Sequence, residues 1–163
     1  MTHIRTILHP TDFSKQSEFA FQLACSLARD YEADLYVINV MPQPVVAFIE
    51  GPLPVASEEL QDELRQKLNR LHDESGKVRV LHRLVEGEPV NEILHMAIET
   101  SCDLIVMGTH GRTGVGRMLM GSVAEGVTRK SPCPVLTVKN PFPEAVEECG
   151  QKAGRVRTTT AMA

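Results

Sequence analysis

Short apolar segments alternate with longer amphipathic segments along most of this chain, and no other feature constrains its fold as strongly. Strand-like and helix-like periodicities follow one another in turn. Strands separated by helices of this length indicate β-α-β units, with a mostly parallel sheet covered on both faces. The predicted strands are 4–9, 34–40, 78–85, 104–107 and 135–138, and the predicted helices are 14–30, 57–74, 89–101 and 121–130.

The first three predicted helices each have an apolar face that we expect to pack against the sheet. The residues of these faces are Phe19, Ala20, Leu23, Ala24 and Leu27 in the first helix, Leu60, Leu64, Leu68 and Leu71 in the second, and Val90, Ile93, Leu94, Ala97 and Ile98 in the third. Strands one, two and four are mostly apolar, as strands buried on both faces are. Strand three carries Arg79, His82 and Arg83, so we place it at an edge of the sheet.

A glycine-rich loop follows the fourth predicted strand. Gly108 and Gly111 are followed by nine residues and then by Gly121 and Ser122, where the fourth helix begins. Glycines after a strand let the backbone approach a bulky anion closely, because no Cβ intervenes. A Gly-Ser pair at a helix start supplies N–H groups, a hydroxyl and the positive end of the helix dipole. Strand, loop and helix N-terminus together are the parts of a phosphate cradle.

Other known phosphate-binding loops fit these glycines less well. A Walker A loop needs G-x-x-x-x-G-K-[ST]. Gly111 and Gly116 have the spacing of its two glycines, but Arg117 and Met118 follow them, so the hydroxyl that holds magnesium is missing. The Rossmann pattern G-x-G-x-x-G occurs only in reversed order. A loop that serves turn geometry alone remains the alternative, although six glycines between Gly108 and Gly126 weigh against it.

The spacing G-x-x-G-(nine residues)-G-S resembles the nucleotide-binding motif of the universal stress proteins. Three further segments resemble landmarks of that family in the same order: the opening loop at 10–14, the end of the second strand at 38–40, and the entry to the last strand at 131–136. The resemblance covers roughly 3–139. It implies a single-domain α/β fold with an open parallel five-stranded sheet of order 3-2-1-4-5, which is Rossmann-like and of the adenine nucleotide α-hydrolase-like type.

In such a sheet, ligands bind outside the carboxyl ends of the strands where the strand order reverses. In this chain those ends are 10–12, 40–41 and 108–111. The resemblance implies that ATP or another adenine nucleotide binds there, with Mg²⁺ carried by its phosphates. The candidate binding residues are Pro10, Thr11, Asp12, Val40, Met107, Gly108, His110, Gly111, Arg112, Gly121, Ser122 and Val123.

The glycines and the helix start have roles that follow from their chemistry. We expect Gly108 to let the strand end pass close to a ribose, and Gly111 and Gly121 to expose backbone N–H groups to phosphate oxygens. Ser122 adds a hydroxyl donor, and Val123 adds a further N–H at the helix start.

Alternatives stay open for the other polar candidates. The resemblance implies that Asp12 faces the nucleoside, and an Asx turn or cap before the first helix is the alternative. Val40 would contact an adenine edge through its backbone N–H and C=O groups. His110 would contact a phosphate or lie in solvent, and Arg112 would screen the phosphate charge or be solvated.

Turnover is not favoured by the motif loop. It contains no G-x-S-x-G elbow and no paired carboxylates, and a phosphoryl-transfer enzyme needs a positioned base or water-orienting group. The six histidines form no H-x-x-x-H or H-E-x-x-H pair. We therefore expect no catalytic residue, no metal site of protein side chains, and at most weak ATP hydrolysis.

Composition narrows the class of protein. The 163 residues predict one domain at 1–140, and the polar segment 141–163 predicts a poorly ordered tail. A net charge of −4 argues weakly against a nucleic-acid partner. There is no apolar run of about 18 residues to cross a membrane, and no signal-peptide pattern, so we expect a cytoplasmic protein. The four cysteines form no C-x-x-C pair and predict buried or incidental thiols.

Two segments bear on partners and regulation. Strand five at 135–138 is short, apolar and last in the alternation, so we expect an exposed edge that pairs with a second copy in a homodimer. The proline-rich connection 41–56 is either a lid beside the crevice or a surface excursion. The leading hypothesis is an ATP-binding dimeric regulator or sensor of the universal stress type. The alternatives are a slow ATPase on the same scaffold and a ligand-free protein-interaction module.

Overall fold

Helices and strands alternate as the periodicity predicts. The computed structural model describes residues 3–41, 58–109 and 120–139. The elements are β1 (Thr6–Pro10), α1 (Lys15–Tyr31), β2 (Asp34–Met41), α2 (Glu58–Asn69), β3 (Val80–Glu86), α3 (Pro89–Glu99), β4 (Leu104–Gly108), α4 (Ser122–Lys130) and β5 (Val135–Val138). The segment 42–56 of the predicted lid and the predicted tail at 141–163 lie outside the described residues. The division between domain and tail therefore stays a prediction.

The strands form one parallel sheet in the order β3-β2-β1-β4-β5, which confirms the predicted topology. The central strand β1 pairs with β2 on one side, where Ile7 lies opposite Leu35. On its other side it pairs with β4, where Ile7 lies opposite Leu104. The chain winds from β1 towards β3 and then crosses to β4, so the order reverses between β1 and β4. A crevice opens at the carboxyl ends of strands at such a reversal.

Each face of the sheet has its own apolar core. On one face, Ile7, Leu35 and Val37 of the sheet pack with residues of α1 and with Leu68 of α2. On the other face, residues of the sheet pack with α3 and α4. The members of this second core from the sheet and the two helices include Leu8, Ile38, Ile105, Ile93, Ala97, Ala124 and Val127. β3 is partly exposed along its length, as its polar residues predict for an edge strand.

Three residues assigned to buried helix faces are exposed, and the predictions for them are wrong. The exposed fraction is 44% for Phe19, 45% for Leu60 and 65% for Ile98. Periodicity defines an apolar stripe wider than the strip that the sheet contacts, so residues at the border of the stripe stay in solvent.

Helix α2 also ends five residues earlier than predicted, at Asn69 instead of Glu74. The segment that follows turns around Asp73, whose carboxylate accepts hydrogen bonds from the N–H groups of Lys77 (3.1 Å) and Val78 (3.2 Å). At the helix end itself, the N–H of Leu71 donates to the carbonyl of Leu68, three residues back instead of four, so the helical pattern stops although the apolar stripe continues to Leu71.

Candidate functional site

A cavity of about 250 Å³ lies at the carboxyl ends of β1, β2 and β4, beside the N-terminus of α4. The predicted site residues that line it are Pro10, Thr11, Asp12, Val40, Met107, Gly108, Gly121, Ser122 and Val123. The other three candidates, His110, Gly111 and Arg112, lie outside the described residues. Segments that are far apart in the sequence thus converge at the strand-order reversal.

The loop after β1 is held in place by hydrogen bonds to β2 and α1. The N–H of Thr11 donates to the carbonyl of Ile38 at 2.8 Å, and Asn39 Nδ2 donates to the carbonyl of Thr11 at 2.7 Å. The hydroxyl of Ser17 donates to Thr11 Oγ1 at 2.8 Å. Thr11, Ser17 and Asn39 are all buried, so these bonds are shielded from water. They give the cavity a rigid wall on the β1 side.

Asp12 lines the cavity and also makes a local turn. Its Oδ1 atom accepts a hydrogen bond from the N–H of Ser14 at 3.0 Å, which is an Asx turn. Ser14 in turn caps α1, because its hydroxyl accepts from the N–H of Ser17 at 3.2 Å. The turn that we considered as an alternative is therefore present, and it fixes the backbone of a residue whose carboxylate stands at the cavity wall.

Gly108 has a packing role that the sequence did not reveal. A Cβ at this position would lie 3.2 Å from the backbone C and O atoms of Gln16 and 3.3 Å from its Cβ. Few real Cβ atoms have contacts this short, so the absent side chain lets the end of β4 pass the first turn of α1. Close approach to α1 thus explains this glycine without any ligand.

The N-terminus of α4 lines the cavity, and its N-cap residue already has an acceptor for its N–H within the protein. The N–H of Gly121 donates to the carbonyl of Thr109 at 2.7 Å, contrary to the expected donation to a phosphate. The next three residues, Ser122, Val123 and Ala124, begin the helix, where N–H groups have no intrahelical acceptor. Gly121 is the N-cap, and no side chain among the described residues caps these amides. The helix dipole adds a partial positive charge at the same place.

The rest of the wall is largely apolar. Seven cavity residues were missed by the sequence reasoning: Ser17, Ile38, Asn39, Pro89, Ile93, Thr109 and Ala124. Asn39 had a detectable signal, because a polar residue inside an apolar strand needs a partner. Pro89 and Ile93 had none, because only packing brings α3 over the cavity. Within the described part of the lining, Asp12 is the sole charged side chain.

His9 of β1 is buried and immediately precedes the cavity residue Pro10 in the sequence. Its side chain joins β1 to β4. Its Nδ1–H donates to the carbonyl of Val106 at 2.8 Å, and its ring packs 5.7 Å from the ring of Phe21. Its Nε2 atom has no hydrogen-bond partner among the described residues. Burial lowers the pKa of His9 to about 4, so the ring is neutral at physiological pH. The neutral ring therefore belongs to the core below the loop that carries Asp12.

Two further features concern the described ranges 3–41, 58–109 and 120–139. No helix there is long and apolar enough to cross a membrane. The same residues include no cluster of three or more His, Cys, Asp or Glu side chains that could hold a metal ion.

Comparison with known proteins agrees with the fold. The model of the universal stress protein family matches residues 3–139. Universal stress protein MJ0531 of Methanocaldococcus jannaschii is 40% identical over 145 residues, which cover 86% of this chain and 85% of that protein.

Solved structures of universal stress proteins have a similar fold. Universal stress protein UspA from Lactobacillus plantarum has a TM-score of 0.70 at 26% identity and covers 85% of this chain and 99% of its own. A universal stress protein in complex with cAMP has a TM-score of 0.66 at 26% identity and covers 83% of this chain and 97% of its own. The family match and the relative at 40% identity establish that this chain belongs to the universal stress protein family.

Proposed function

We propose that this protein binds an adenine nucleotide, ATP in the first instance, in the cavity at the carboxyl ends of β1, β2 and β4. The observation that carries the proposal is the start of α4, which no side chain among the described residues caps, in the wall of a largely apolar cavity. A nucleotide has the matching polarity, with a flat base at one end and anionic phosphates at the other. The cAMP complex of a related protein supports an adenine nucleotide as the ligand class.

The apolar part of the cavity suits the base and the sugar. Ile38, Val40 and Met107 offer apolar surface, and the backbone of Val40 offers hydrogen-bonding groups for the edge of an adenine. Asp12 can accept hydrogen bonds from ribose hydroxyls or from an amino group. Because its backbone is fixed by the Asx turn, little ordering entropy is lost when a nucleoside binds.

The start of α4 suits the phosphates. The N–H groups of Ser122 and Val123 and the hydroxyl of Ser122 can donate to phosphate oxygens, with His110, Gly111 and Arg112 as further proposed contacts. A helix dipole stabilises an anion by about 0.3–1 kcal/mol, and each charge-assisted hydrogen bond contributes about 1.5–3 kcal/mol. Part of this stabilisation is offset by the translational and rotational freedom lost on binding. We therefore expect a micromolar Kd, which corresponds to about −8 kcal/mol. Mg²⁺ would enter with the phosphates.

Calorimetry of Gly121→Val tests this site. Gly121 has φ −74° and ψ 157°, an extended conformation that valine adopts readily, so the variant acts through its side chain and not through backbone strain. We expect ATP binding to be lost, because the branched side chain enters the cavity. Glu125→Val is the matched control, since it places the same side chain on the exposed face of the same helix. Equal binding by wild type and Gly121→Val would refute the assignment.

Hydrolysis is expected to be slow on the same scaffold. Within the described lining Asp12 is the sole carboxylate, and no histidine or lysine there could serve as a second acid–base group. Uniform binding of substrate and transition state does not raise turnover, so we expect a rate far below the ~10 s⁻¹ typical of enzymes. Single-turnover hydrolysis with excess protein and Mg²⁺ should give similar slow rates for wild type, Asp12→Ala and His110→Ala. Turnover of several per second that collapses in either variant would establish a dedicated active site.

The biological role that fits such a site is a dimeric cytoplasmic regulator or sensor in the stress response. β5 is an edge of the sheet, and its Leu136 is 38% exposed. Two such edges related by a two-fold axis can extend one sheet into another. A protein that holds a nucleotide and hydrolyses it slowly can report nucleotide state to a partner. A ligand-free interaction module remains the competing role, and native mass spectrometry of the purified protein distinguishes them, because only the proposed function gives a copurifying adenine nucleotide.

A further inference from the structure

Two thiols lie against each other at the end of the sheet opposite to the cavity. The Sγ atoms of Cys102 and Cys133 are 3.2 Å apart, although the residues are 31 positions apart in the sequence. Cys102 lies between α3 and β4, and Cys133 lies between α4 and β5. Both precede their strands, and the nucleotide cavity lies where the strands end. The pair is therefore separate from the site already described.

The two thiols differ in their surroundings. Cys102 is 7% exposed, whereas Cys133 is partly exposed. Burial raises the pKa of the Cys102 thiol well above its usual range, and the hydrogen bond to Cys133 adds a smaller effect in the same direction. The hydroxyl of Ser131 lies 3.7 Å from Cys133 Sγ, so the Cys133 thiol has a polar neighbour besides Cys102. A small oxidant can reach Cys133, while Cys102 stays protonated behind it.

We propose that Cys102 and Cys133 form a reversible disulfide when the protein meets a peroxide. The sulfur of Cys133 attacks one peroxide oxygen, the O–O bond breaks, and Cys133 becomes a sulfenic acid while the second oxygen leaves as water. The sulfur of Cys102 then attacks Cys133 Sγ, the S–O bond breaks, and the departing hydroxide takes the Cys102 proton. Two thiols are oxidised by two electrons and one peroxide is reduced to two waters.

The surrounding backbone favours this bond. A disulfide needs the sulfurs at about 2.05 Å, so they must approach by little more than 1 Å. Cys102 and Cys133 lie on short connections and not inside strands, so small backbone adjustments there leave the β-ladder intact. β4 and β5 are already neighbours, with Ile105 opposite Val135. The bridge therefore joins segments that the sheet holds together and requires no change of fold.

Peptide mapping of the full-length protein after peroxide treatment tests the proposal. Free thiols are blocked by alkylation before tryptic cleavage, which places each cysteine in its own peptide: Cys102 in 84–112, Cys133 in 131–139, Cys25 in 16–29 and Cys149 in 140–152. We expect one cross-linked species that joins 84–112 to 131–139, lacks two hydrogens relative to the separate thiol peptides, and disappears after treatment with a reducing agent.

Internal and variant controls make the outcome decisive. Cys25 is buried in the other core, where burial raises its pKa to about 11. Its thiol should therefore stay out of any disulfide and become alkylated only after unfolding. In Cys102→Ser, we expect Cys133 to stop at the sulfenic acid, which a cyclic diketone probe labels. A cross-link that involves Cys149 instead, or intact Cys102 and Cys133 thiols under conditions that oxidise other cysteines, would overturn the proposal. Both results come from the wild-type protein and do not depend on the folding of a variant.

Discussion

Acidification should destabilise this protein through one buried side chain, His9. Its ring is fully buried between β1, β4 and Phe21, and burial lowers its pKa from 6.5 to about 4. The folded state therefore excludes a proton that the unfolded chain binds at mildly acidic pH. The contribution of His9 is complete above the unfolded pKa near 6.5 and is lost as the pH falls towards the folded pKa near 4.

The size of the loss follows from the two pKa values. Between about pH 7.5 and pH 5, the free energy of unfolding should fall by about 2 kcal/mol, and at about pH 4 the loss should reach about 3 kcal/mol. Water does not screen the ring, because it is fully buried. Asp73 acts in a different window. A hydrogen bond from Ser75 is the main cause that holds its pKa well below the usual range, so its contribution is lost only below the unfolded value near 4.

Urea unfolding at about pH 7.5 and at about pH 5 measures this difference. The informative variant is His9→Asn, because the Asn side-chain N–H can still donate to the carbonyl of Val106 but does not titrate. The smaller side chain should lower stability at both pH values, while the 2 kcal/mol difference between them should largely disappear. His95→Gln removes an exposed histidine and serves as the control.

If His9→Asn retains the full pH dependence of wild type, His9 is not the group that resists protonation. A wild-type protein equally stable at both pH values would contradict the buried, neutral ring itself.

The remaining predictions concern three other positions. Asp73→Ala should lower the free energy of unfolding by about 3 kcal/mol in urea, because two partly buried N–H groups and Arg29 lose a buried acceptor; a change below about 0.5 kcal/mol would contradict this. Gly108→Ala should cost about 1–3 kcal/mol by the same assay, since the new Cβ crowds the backbone of Gln16, and an unchanged midpoint would exclude that contact. Leu136→Lys should convert the proposed dimer to a monomer. The interface would be rejected if light scattering shows that the wild-type protein is a monomer at tens of micromolar, roughly the range where a micromolar dimer persists.

Much of the architecture follows from short-range patterns. Strand and helix periodicities predict the alternation of elements, and the polar side chains of β3 place it at an edge. Strand ends and glycines then indicate where a ligand site belongs, because parallel strands bring their carboxyl ends to one edge of the sheet. The strand order and the nucleotide came from the resemblance to a family, which supplies long-range information that periodicity lacks.

Packing decided what local patterns leave open. The stripe of α3 does not say that Ile98 stays in solvent while Met96 is buried, because the sheet covers only part of the stripe. The glycine spacing does not say that Gly121 gives its N–H to Thr109. The scattered cysteines give no sign that Cys102 and Cys133 meet.

These features share one physical cause. Periodicity reports the environment of a residue through its neighbours along the chain, whereas a hydrogen bond or contact across the fold depends on where two distant segments are carried. The cap bond of Ser14 is of the local kind, because the Ser14 hydroxyl that accepts and the Ser17 N–H that donates lie three residues apart along the chain. Gly108 could not be explained in that way, because the atoms that exclude its side chain belong to Gln16 on another element. Only the packed sheet and helices bring such pairs together.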